Sequence, residues 1–445
     1  MMIPHPCECT NTGLDLFTTP PIQTSIERGI WVEYHPLATI TESGPIEFVI
    51  KGAGEDYLDL ANSFMHVQAK ITKADGSDLV DADDKLVAPV NLFLQALFSE
   101  VDMSLNGVLV STSTNTYPYR AYLETVLSYG EDAKKTQLAN EMYYKRGEDS
   151  YFAFSAANAN DGLKKRRYRT QRSKTVDMVG RIHGDIFTQE KFVLPGVDVR
   201  LRFVRAKNTF ALLAVPAAGV PADTPPHQYK IKVVHMSLFI RKARVNPAIV
   251  LAHGKALQNN TAKYPIKRVV TKVFSAPMGN MNVVQENLFL NQRPNRLVIG
   301  LVSSKAFNGD YAVSPFEFKH YNINSLALFS DGQQIPSKAF APNFADKNYA
   351  RSYLSLFTGT GTAWKDGGNM IDYEDYDDGY ALWVLDLTPS LADGDQVELL
   401  KTGSLRLEIG FSVALPEPVH IIILGEMDGM IEVDKSRQVL LSFTS

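Results

Sequence analysis

The pattern of hydrophobic and polar positions predicts short β-strands along most of the chain. From Trp31 onward, short runs rich in β-branched and aromatic residues alternate with turn residues. In residues 197–203 the alternation is strict, because every second side chain is hydrophobic and those between are charged. A strand of this kind buries one face and exposes the other, which is typical of an antiparallel sheet. The runs that predict strands are residues 29–34, 46–50, 64–71, 101–105, 176–182, 197–204 and 229–240.

Turn and helix signals also favour an all-β fold. Asn106-Gly107 lies between two hydrophobic runs, which is the strongest short-range signal for a hairpin, and Asp331-Gly332 follows another such run. Helical patterns are few, and the best cover residues 90–98, 120–129, 132–144 and 247–257. Strands at regular spacing, with helices confined to connections, predict β-sandwiches and exclude a doubly wound α/β enzyme fold.

An internal repeat divides the chain into two similar halves. The four residues Ala96-Leu97-Phe98-Ser99 recur as Ala327-Leu328-Phe329-Ser330, and Arg120-x-Tyr122 recurs as Arg351-x-Tyr353, both at a separation of 231 residues (327 − 96 and 351 − 120). A chain of 445 residues is also longer than one hydrophobic core usually serves. We therefore predict two tandem domains, residues 29–245 and 246–445, behind an extended N-terminal arm of residues 1–28.

Composition narrows the classes of function. The net charge of −4 provides no general field for binding nucleic acid or an anionic membrane, so any such contact must be local. Cys7 and Cys9 are the only cysteines, too few for a disulfide framework or a zinc site, and they fit a reducing compartment. The sequence shows no secretory signal and no hydrophobic run long enough to cross a bilayer, so we expect a soluble protein that is not secreted.

Five short motifs in a fixed order carry a resemblance to a known family. They lie within residues 14–145 and are Gly44-Pro45-Ile46-Glu47-Phe48, Tyr57-Leu58-Asp59-Leu60, Pro89-Val90-Asn91, Leu97-Phe98-Ser99-Glu100-Val101-Asp102 with Leu105-Asn106-Gly107, and Tyr117-Pro118-Tyr119-Arg120-Ala121-Tyr122-Leu123-Glu124 with Leu127-Ser128-Tyr129-Gly130. This region resembles the hexon-like major capsid proteins of Polinton or Maverick elements and adintoviruses.

The resemblance implies a structural function. It implies two tandem eight-stranded jelly rolls, with short helical insertions in their loops, and three chains that form a pseudo-hexagonal capsomer. Such capsomers tile an icosahedral shell around double-stranded DNA, so the implied partners are further copies of the chain and minor capsid or penton proteins. The implied location is the virion capsid, after synthesis in the host cytoplasm and with assembly there or in the nucleus. Duplication supports this expectation, because three chains of two rolls each present six similar lobes.

The densest positive charge lies at residues 164–174. Its cations could contact packaged DNA or serve as a nuclear import signal, since clustered lysines and arginines neutralise phosphates. The alternative is a solvated or intersubunit loop before the strand at Val176. The residues concerned are Lys164, Lys165, Arg166, Arg167, Arg169, Arg172 and Lys174.

A run of carboxylates at residues 372–378 is the acidic counterpart. Crowded carboxylates can chelate Ca²⁺, but their spacing does not match the twelve-residue calcium loop, and an exposed loop at an outer rim is the alternative. The sequence predicts no other metal site and no cofactor.

Arg120, Tyr122, Arg351 and Tyr353 are candidates for an architectural role, with ordinary core packing as the alternative. In a helical insertion of each roll, the Arg could cap a helix or pair with a carboxylate at the roll-to-roll contact, while the Tyr packs beneath it.

Catalytic motifs are missing from the sequence. It contains no nucleophile elbow, phosphate loop or dinucleotide-binding glycine motif, so we predict that the chain is not an enzyme. Two other functions stay open. A carbohydrate- or receptor-binding β-sandwich would show exposed aromatic residues on one sheet face, and a β-sandwich hydrolase would need converging carboxylates near Asp372.

Overall fold

The computed structural model describes residues 22–145, 161–215, 228–290, 292–388 and 402–442. Residues 1–21 of the predicted arm, with Cys7 and Cys9, lie outside these ranges. The strands, numbered in chain order, are β1 Ile26–Tyr34, β2 Ile46–Ile50, β3 Tyr57–Lys73, β4 Val87–Pro89, β5 Phe98–Leu105, β6 Val108–Leu109, β7 Val176–Arg181, β8 Val199–Arg205, β9 Leu212–Ala214, β10 Tyr229–Val245, β11 Ala262–Ala276, β12 Asn282–Gln285, β13 Arg296–Ser303, β14 Ile323–Ser330, β15 Gln333–Phe340, β16 Leu382–Asp386, β17 Leu405–Phe411, β18 Val419–Val433 and β19 Val439–Leu441. The α-helices are α1 Phe93–Ala96, α2 Tyr117–Ser128, α3 Glu131–Lys135, α4 Asp161–Thr170, α5 Asn208–Ala211, α6 Pro247–Asn259, α7 Ser304–Asn308, α8 Ala350–Thr358 and α9 Tyr373–Asp377.

Sixteen of these strands form two sandwiches with the same connectivity. In the first half, one sheet has the order β1-β10-β3-β7 and the facing sheet has the order β2-β8-β5-β6. In the second half, the orders are β11-β18-β13-β16 and β12-β17-β14-β15. Numbered within each half, the eight strands occupy the same places, and every named pairing is antiparallel. This is the order of two eight-stranded jelly rolls in tandem, as the sequence predicts.

The residue pattern explains why the sheets form. Along β8 the buried side chains Val199, Leu201 and Phe203 alternate with an exposed or half-buried arginine at each intervening position. The predicted hairpin turn is also present, because Asn106 (φ 47°) and Gly107 (φ 83°) join β5 to β6 in left-handed conformations that suit this residue pair.

Three local predictions need correction. Strand β1 begins at Ile26, so the last three residues of the predicted arm, 26–28, belong to β1, and Ile26 and Arg28 pair with β10. The helix predicted over residues 132–144 is broken into α3 and a 3-10 turn at Gln137–Glu141. The four-residue repeat is not structurally equivalent in the two halves, because Phe98 begins β5 whereas Phe329 lies one residue before the end of β14. Two tandem rolls are nevertheless present. They are related by their common strand order and not by the four-residue repeat.

The connection between the rolls is a thinly packed helix. β10 ends at Val245, and α6 follows with Pro247 in its first turn and the Asn246 side chain accepting a hydrogen bond from the Ala248 amide (2.9 Å). Of its thirteen residues only Leu257 is buried, although most of the helix is apolar. None of the helices among the described residues is long and apolar enough to span a membrane.

Candidate functional site

The two rolls of one chain meet along a seam of aromatic rings. Helix α2, in the connection between β6 and β7, is buried along almost its whole length. The Tyr122 ring stacks on Phe316 of the second half, with centroids 4.3 Å apart and the planes 4° from parallel. Tyr119 stacks on Phe307 at 5.6 Å and meets Phe316 edge-on at 5.9 Å. These contacts join the rolls through well-packed apolar surface rather than through a flexible linker.

A buried ionic network continues the seam beside these rings. Arg120 Nε donates to Glu124 Oε1 (2.8 Å), and Arg120 Nη2 lies 2.7 Å from Asp185 Oδ1. Asp185 Oδ1 also accepts the backbone N–H of Val269 on β11 of the second roll (3.2 Å). His183 Nδ1 lies 2.6 Å from Glu124 Oε2. The network therefore ties the helical insertion of the first roll to a strand of the second.

Charge pairing favours the ionised forms of Arg120 and Glu124 despite their burial, whereas for Asp185 burial outweighs the attraction of Arg120 and raises the pKa of its carboxyl. Burial alone would raise the pKa of Glu124, but Arg120 and His183 outweigh it and lower that pKa to about 2. Burial would likewise lower the pKa of the Arg120 guanidinium, whereas Asp185 and Glu124 raise it above its usual value. Removing one partner of such a buried pair strongly destabilises the fold, because the other charge is then left without compensation.

Lys134 adds a second polar tie between the halves. Its Nζ donates to the backbone carbonyls of Val126 (2.7 Å) and Asn369 (2.6 Å), which belong to the first and second roll respectively. Burial, together with the nearby charge of Lys145, lowers the pKa of Lys134 to about 7.

The repeat partners of Arg120 and Tyr122 lie in a different environment. Arg351, on α8, is exposed and packs over the Phe340 ring at 5.4 Å. Its guanidinium donates to the carbonyls of Ala339 (3.1 Å) and Lys338 (2.9 Å). Tyr353 is half-buried and donates from its hydroxyl to the Ile371 carbonyl (2.8 Å). The structure thus places one copy of the motif in the seam and the other beside solvent.

Exposed hydrophobic side chains surround α8. Trp364, just after the helix, is 92% exposed, and Leu354 on the helix is also exposed. Burial of this ring against a partner would remove a large apolar area from water, which makes it a candidate for an interaction.

The outer face of the sheet β1-β10-β3-β7 carries a second aromatic group. Trp31 is 54% exposed, with Arg241 over its ring at 5.3 Å and its Nε1 donating to the Asn62 carbonyl (3.1 Å). Phe64 and Phe239, half-buried on neighbouring strands, stack at 5.0 Å. A sugar-binding sandwich would need such aromatics, but here Arg241 covers one side of the indole and the phenyl rings cover each other.

The corresponding sheet of the second roll is covered from within the chain. A polar chamber of about 740 Å³ separates α2 from the sheet β11-β18-β13-β16, with Lys267, Arg296 and Glu426 on its sheet side. Arg120 and Glu124 line the opposite wall of the chamber. The two equivalent sheets therefore differ in their surroundings. The sheet of the second roll faces the helical insertion of the first roll, whereas the sheet of the first roll carries an exposed aromatic group.

The basic run at residues 164–174 forms helix α4 and the turn after it, rather than a loop. Arg166 is buried and donates to the carbonyls of Pro89 (2.9 Å) and Tyr144 (3.0 Å). Arg169 donates to the Ala139 carbonyl (2.7 Å), and Arg172 pairs with Asp81. Several cations thus hold the insertion in place, and the exposed ones are Lys164, Lys165, Arg172 and Lys174, whereas Arg167 is half-buried.

The acidic run contains helix α9, and two of its carboxylates are held by contacts within the chain. Asp372 and Asp375 form a capping box at the start of the helix, and Lys145 of the first roll pairs with both carboxylates, at 3.1 and 2.6 Å. No group of three or more potential metal ligands occurs among the described residues.

Sequence patterns did not point to Asp185, Phe307 or Phe316, although they complete the seam. Each lies far from its partner along the chain, so no local spacing signals the contact. A buried Asp behind a strand carries no motif of its own.

Comparisons with known proteins identify the fold. No family model matches the chain. An uncharacterised protein of Caenorhabditis elegans is 22% identical over 431 residues, covering 95% of this chain and 99% of that protein. A chain of the Sputnik virophage structure superposes with a TM-score of 0.57 at 12% identity, covering 99% of this chain and 94% of that chain. The Faustovirus major capsid protein gives a TM-score of 0.57 at 11% identity, with 94% and 92% covered. The mavirus major capsid protein gives 0.53 at 10% identity, with 100% and 95% covered. These likenesses span both rolls, and they confirm the double jelly-roll fold expected from the resemblance.

Proposed function

We propose that this chain is a major capsid protein, three copies of which form a pseudo-hexagonal capsomer that tiles an icosahedral shell around double-stranded DNA. The role is structural rather than catalytic. The observation that carries the proposal is the full-length likeness to capsid proteins that share both rolls and their order. Affiliation with Polinton elements or adintoviruses, penton partners, and assembly in the nucleus or cytoplasm belong to the same proposal.

The seam supplies a physical route to the trimer. Within one chain, the insertion between β6 and β7 of the first roll faces the sheet β11-β18-β13-β16 of the second across the polar chamber, and Arg120 ties it to β11 through Asp185. The equivalent insertion of the second roll carries α8 and the exposed Trp364, and the equivalent sheet of the first roll carries the exposed Trp31. Repeating the internal contact between chains therefore joins the second roll of one copy to the first roll of the next.

Such a head-to-tail contact forms a ring if each step turns by one sixth of a circle. Three chains then supply six rolls, three contacts inside chains and three between them. The contact between chains would bury Trp364 and Leu354 against the aromatic face that contains Trp31, Phe64 and Phe239. Aromatic anchors in a desolvated centre are the usual source of binding energy in an interface.

Light scattering coupled to size exclusion tests the assembly. We expect a mass of about 148 kDa, three times the chain mass of 49.4 kDa. Trp364→Ala should shift this mass toward the monomer at micromolar concentration, whereas Tyr168→Ala, which removes an exposed aromatic ring from α4, should not. A protein that stays monomeric at high concentration would contradict the proposal, and negative-stain images without threefold particles would do the same.

The exposed basic residues of α4 and of the turn after it extend the proposal to DNA. Lys164, Lys165, Arg172 and Lys174 could contact packaged DNA or an import receptor. If they contact DNA, the affinity of the purified trimer for duplex DNA should fall with salt, and charge reversal at Lys164 and Lys165 should reduce the slope. The same charge reversal at Lys255, on α6, serves as the matched control.

A carbohydrate-binding function is the alternative that the exposed Trp31 would favour. That function predicts a monomer or dimer whose affinity for glycans is lost in Trp31→Ala. In the capsid proposal the same variant weakens the trimer, so one substitution separates the two functions.

A further inference from the structure

An apolar groove lies under the linker helix α6, beside the point where the described chain begins. Its volume is about 580 Å³, within the range of about 300–1,000 Å³ that ligand sites occupy. Ile249, Ala256 and Leu257 of the helix form one wall, and Phe192 and Tyr264 form part of another. The groove is too large to be a packing defect of the core, where voids rarely exceed a water molecule.

The two tyrosine hydroxyls that face this groove are already paired. The Tyr57 hydroxyl lies 2.8 Å from His253 Nδ1, and the Tyr264 hydroxyl accepts the Leu194 amide at 3.1 Å. Burial raises the pKa values of both tyrosines, so their hydroxyls remain neutral. What the groove offers a ligand is therefore mainly apolar contact.

The face of α6 that lines the groove is incompletely covered. Ile249 is half-buried and Ala256 is exposed, and the helix carries Lys255 as its one fully charged residue, so this face offers apolar surface to an occupant. The start of β1 is held beside the start of α6, since the Ser25 carbonyl accepts a hydrogen bond from the Asn246 amide (2.9 Å) and Ile26 pairs with Val245. Ser25 and Ile26 themselves line the groove.

We propose that residues 14–17 of the same chain, Leu-Asp-Leu-Phe, dock in this groove beneath α6. Eight Cα-to-Cα steps separate Phe17 from Ser25, a span of at most about 28 Å, so the segment can reach every part of a groove that starts at Ser25. Leu14, Leu16 and Phe17 supply apolar side chains that match the apolar walls of the groove. Because the tether is short, the segment is present at an effective concentration in the millimolar range, so even weak intrinsic affinity fills the groove.

Hydrogen exchange of the α6 amides tests the proposal in the full chain. With an effective concentration of about 1 mM and an intrinsic Kd of about 0.1 mM, docking should slow exchange in α6 about ten-fold relative to a chain that starts at residue 22. A synthetic peptide of residues 10–21, added to the shortened chain at millimolar concentration, should restore the protection. Equal exchange in the two chains would overturn the proposal.

Two matched variants keep the test independent of the deletion. Ala256→Trp fills the groove and should abolish the difference, whereas Ala252→Trp places the same ring on the same helix away from the groove and should preserve it. Phe17→Ser should match the deletion, and Thr19→Ser should match the wild type. Protection that disappears on dilution would assign the groove to the arm of another copy and would also overturn docking within the chain. None of these variants should change the trimer mass, which keeps this outcome separate from the capsid proposal.

Discussion

Replacing Arg120 by methionine tests whether the ionic network holds the two rolls together. Methionine keeps much of the length and packing of the side chain but removes its charge. Glu124 and Asp185 then remain buried without the guanidinium that pairs with both, while Glu124 Oε2 keeps His183 Nδ1 at 2.6 Å and Asp185 keeps the Val269 amide. Removing one partner of a buried ion pair costs about 3–5 kcal/mol, because the remaining charge is uncompensated.

The pKa of Glu124 gives an independent estimate of the same order. A shift from 4.5 to about 2 corresponds to about 3 kcal/mol of net stabilisation at about 1.4 kcal/mol per unit. For a chain of 445 residues, an unfolding entropy of about 2.1 cal/mol/K per residue gives about 0.9 kcal/mol/K. Each kcal/mol therefore lowers Tm by about 1 °C, and Arg120→Met should lower it by about 3–5 °C.

The repeat supplies a matched control. Arg351→Met makes the same change at an exposed guanidinium, where the expected loss is under about 1 kcal/mol. Differential scanning fluorimetry at pH 7 and one protein concentration measures both variants against the wild type. Equal decreases in Tm, or no decrease in Arg120→Met, would refute the assigned difference between the two halves.

The pH dependence has a definite sign. In the wild type the folded-state pKa of Glu124 is lowered, so its contribution is complete above about pH 4.5 and is lost as the pH falls through about 2. In Arg120→Met the pKa values of the freed carboxyls rise, and protonation relieves them as the pH falls. The Tm deficit of the variant should therefore shrink between about pH 7 and pH 4, and a deficit that grows instead would contradict the ionic mechanism.

Two further substitutions test the seam. Tyr122→Ala removes the ring stacked on Phe316 and should cost about 3–5 kcal/mol, whereas Tyr353→Ala, half-buried at the equivalent position, should cost less in the same Tm measurement. Lys134→Met tests a pH effect. The folded-state pKa of Lys134, about 7, lies below its usual value of 10.5, so the unfolded state binds more protons between these values. Wild-type stability should therefore rise with pH across that range, by an amount on the order of a few kcal/mol. The variant should lack this rise in denaturant titrations at pH 7 and pH 10, and a rise that persists would assign it to another group.

Local patterns determined how much of the fold could be predicted. The alternation in residues 197–203 predicts β8, and the Asn106-Gly107 pair predicts the β5-β6 turn, because both signals come from neighbours in sequence. For the basic run, the sequence leaves open a DNA contact, a nuclear import signal and a solvated or intersubunit loop. The run is a helix, and its Arg166 satisfies carbonyls far away in the chain.

The seam could be predicted only as a possibility attached to Arg120 and Tyr122. Their partners Asp185 and Phe316 lie 65 and 194 residues further along the chain (185 − 120 and 316 − 122), and nothing in the spacing connects them. The repeat also suggested equal environments for Arg120 and Arg351. In the structure the insertion of the first roll is covered by the second roll of the same chain, whereas the insertion of the second roll is exposed. The two copies of the motif therefore have different surroundings.

The seam also bears on how the proposed shell would respond to protein supply. Since one covalent chain carries both rolls, half of the six contacts in a ring are completed during folding and do not depend on encounters in solution. Trimer yield then scales with the cube of the chain concentration, whereas six separate rolls would require the sixth power. A twofold shortage of protein would reduce the equilibrium product about eightfold rather than about sixty-fourfold under dilute conditions, so fusing the rolls makes particle production far less sensitive to expression level.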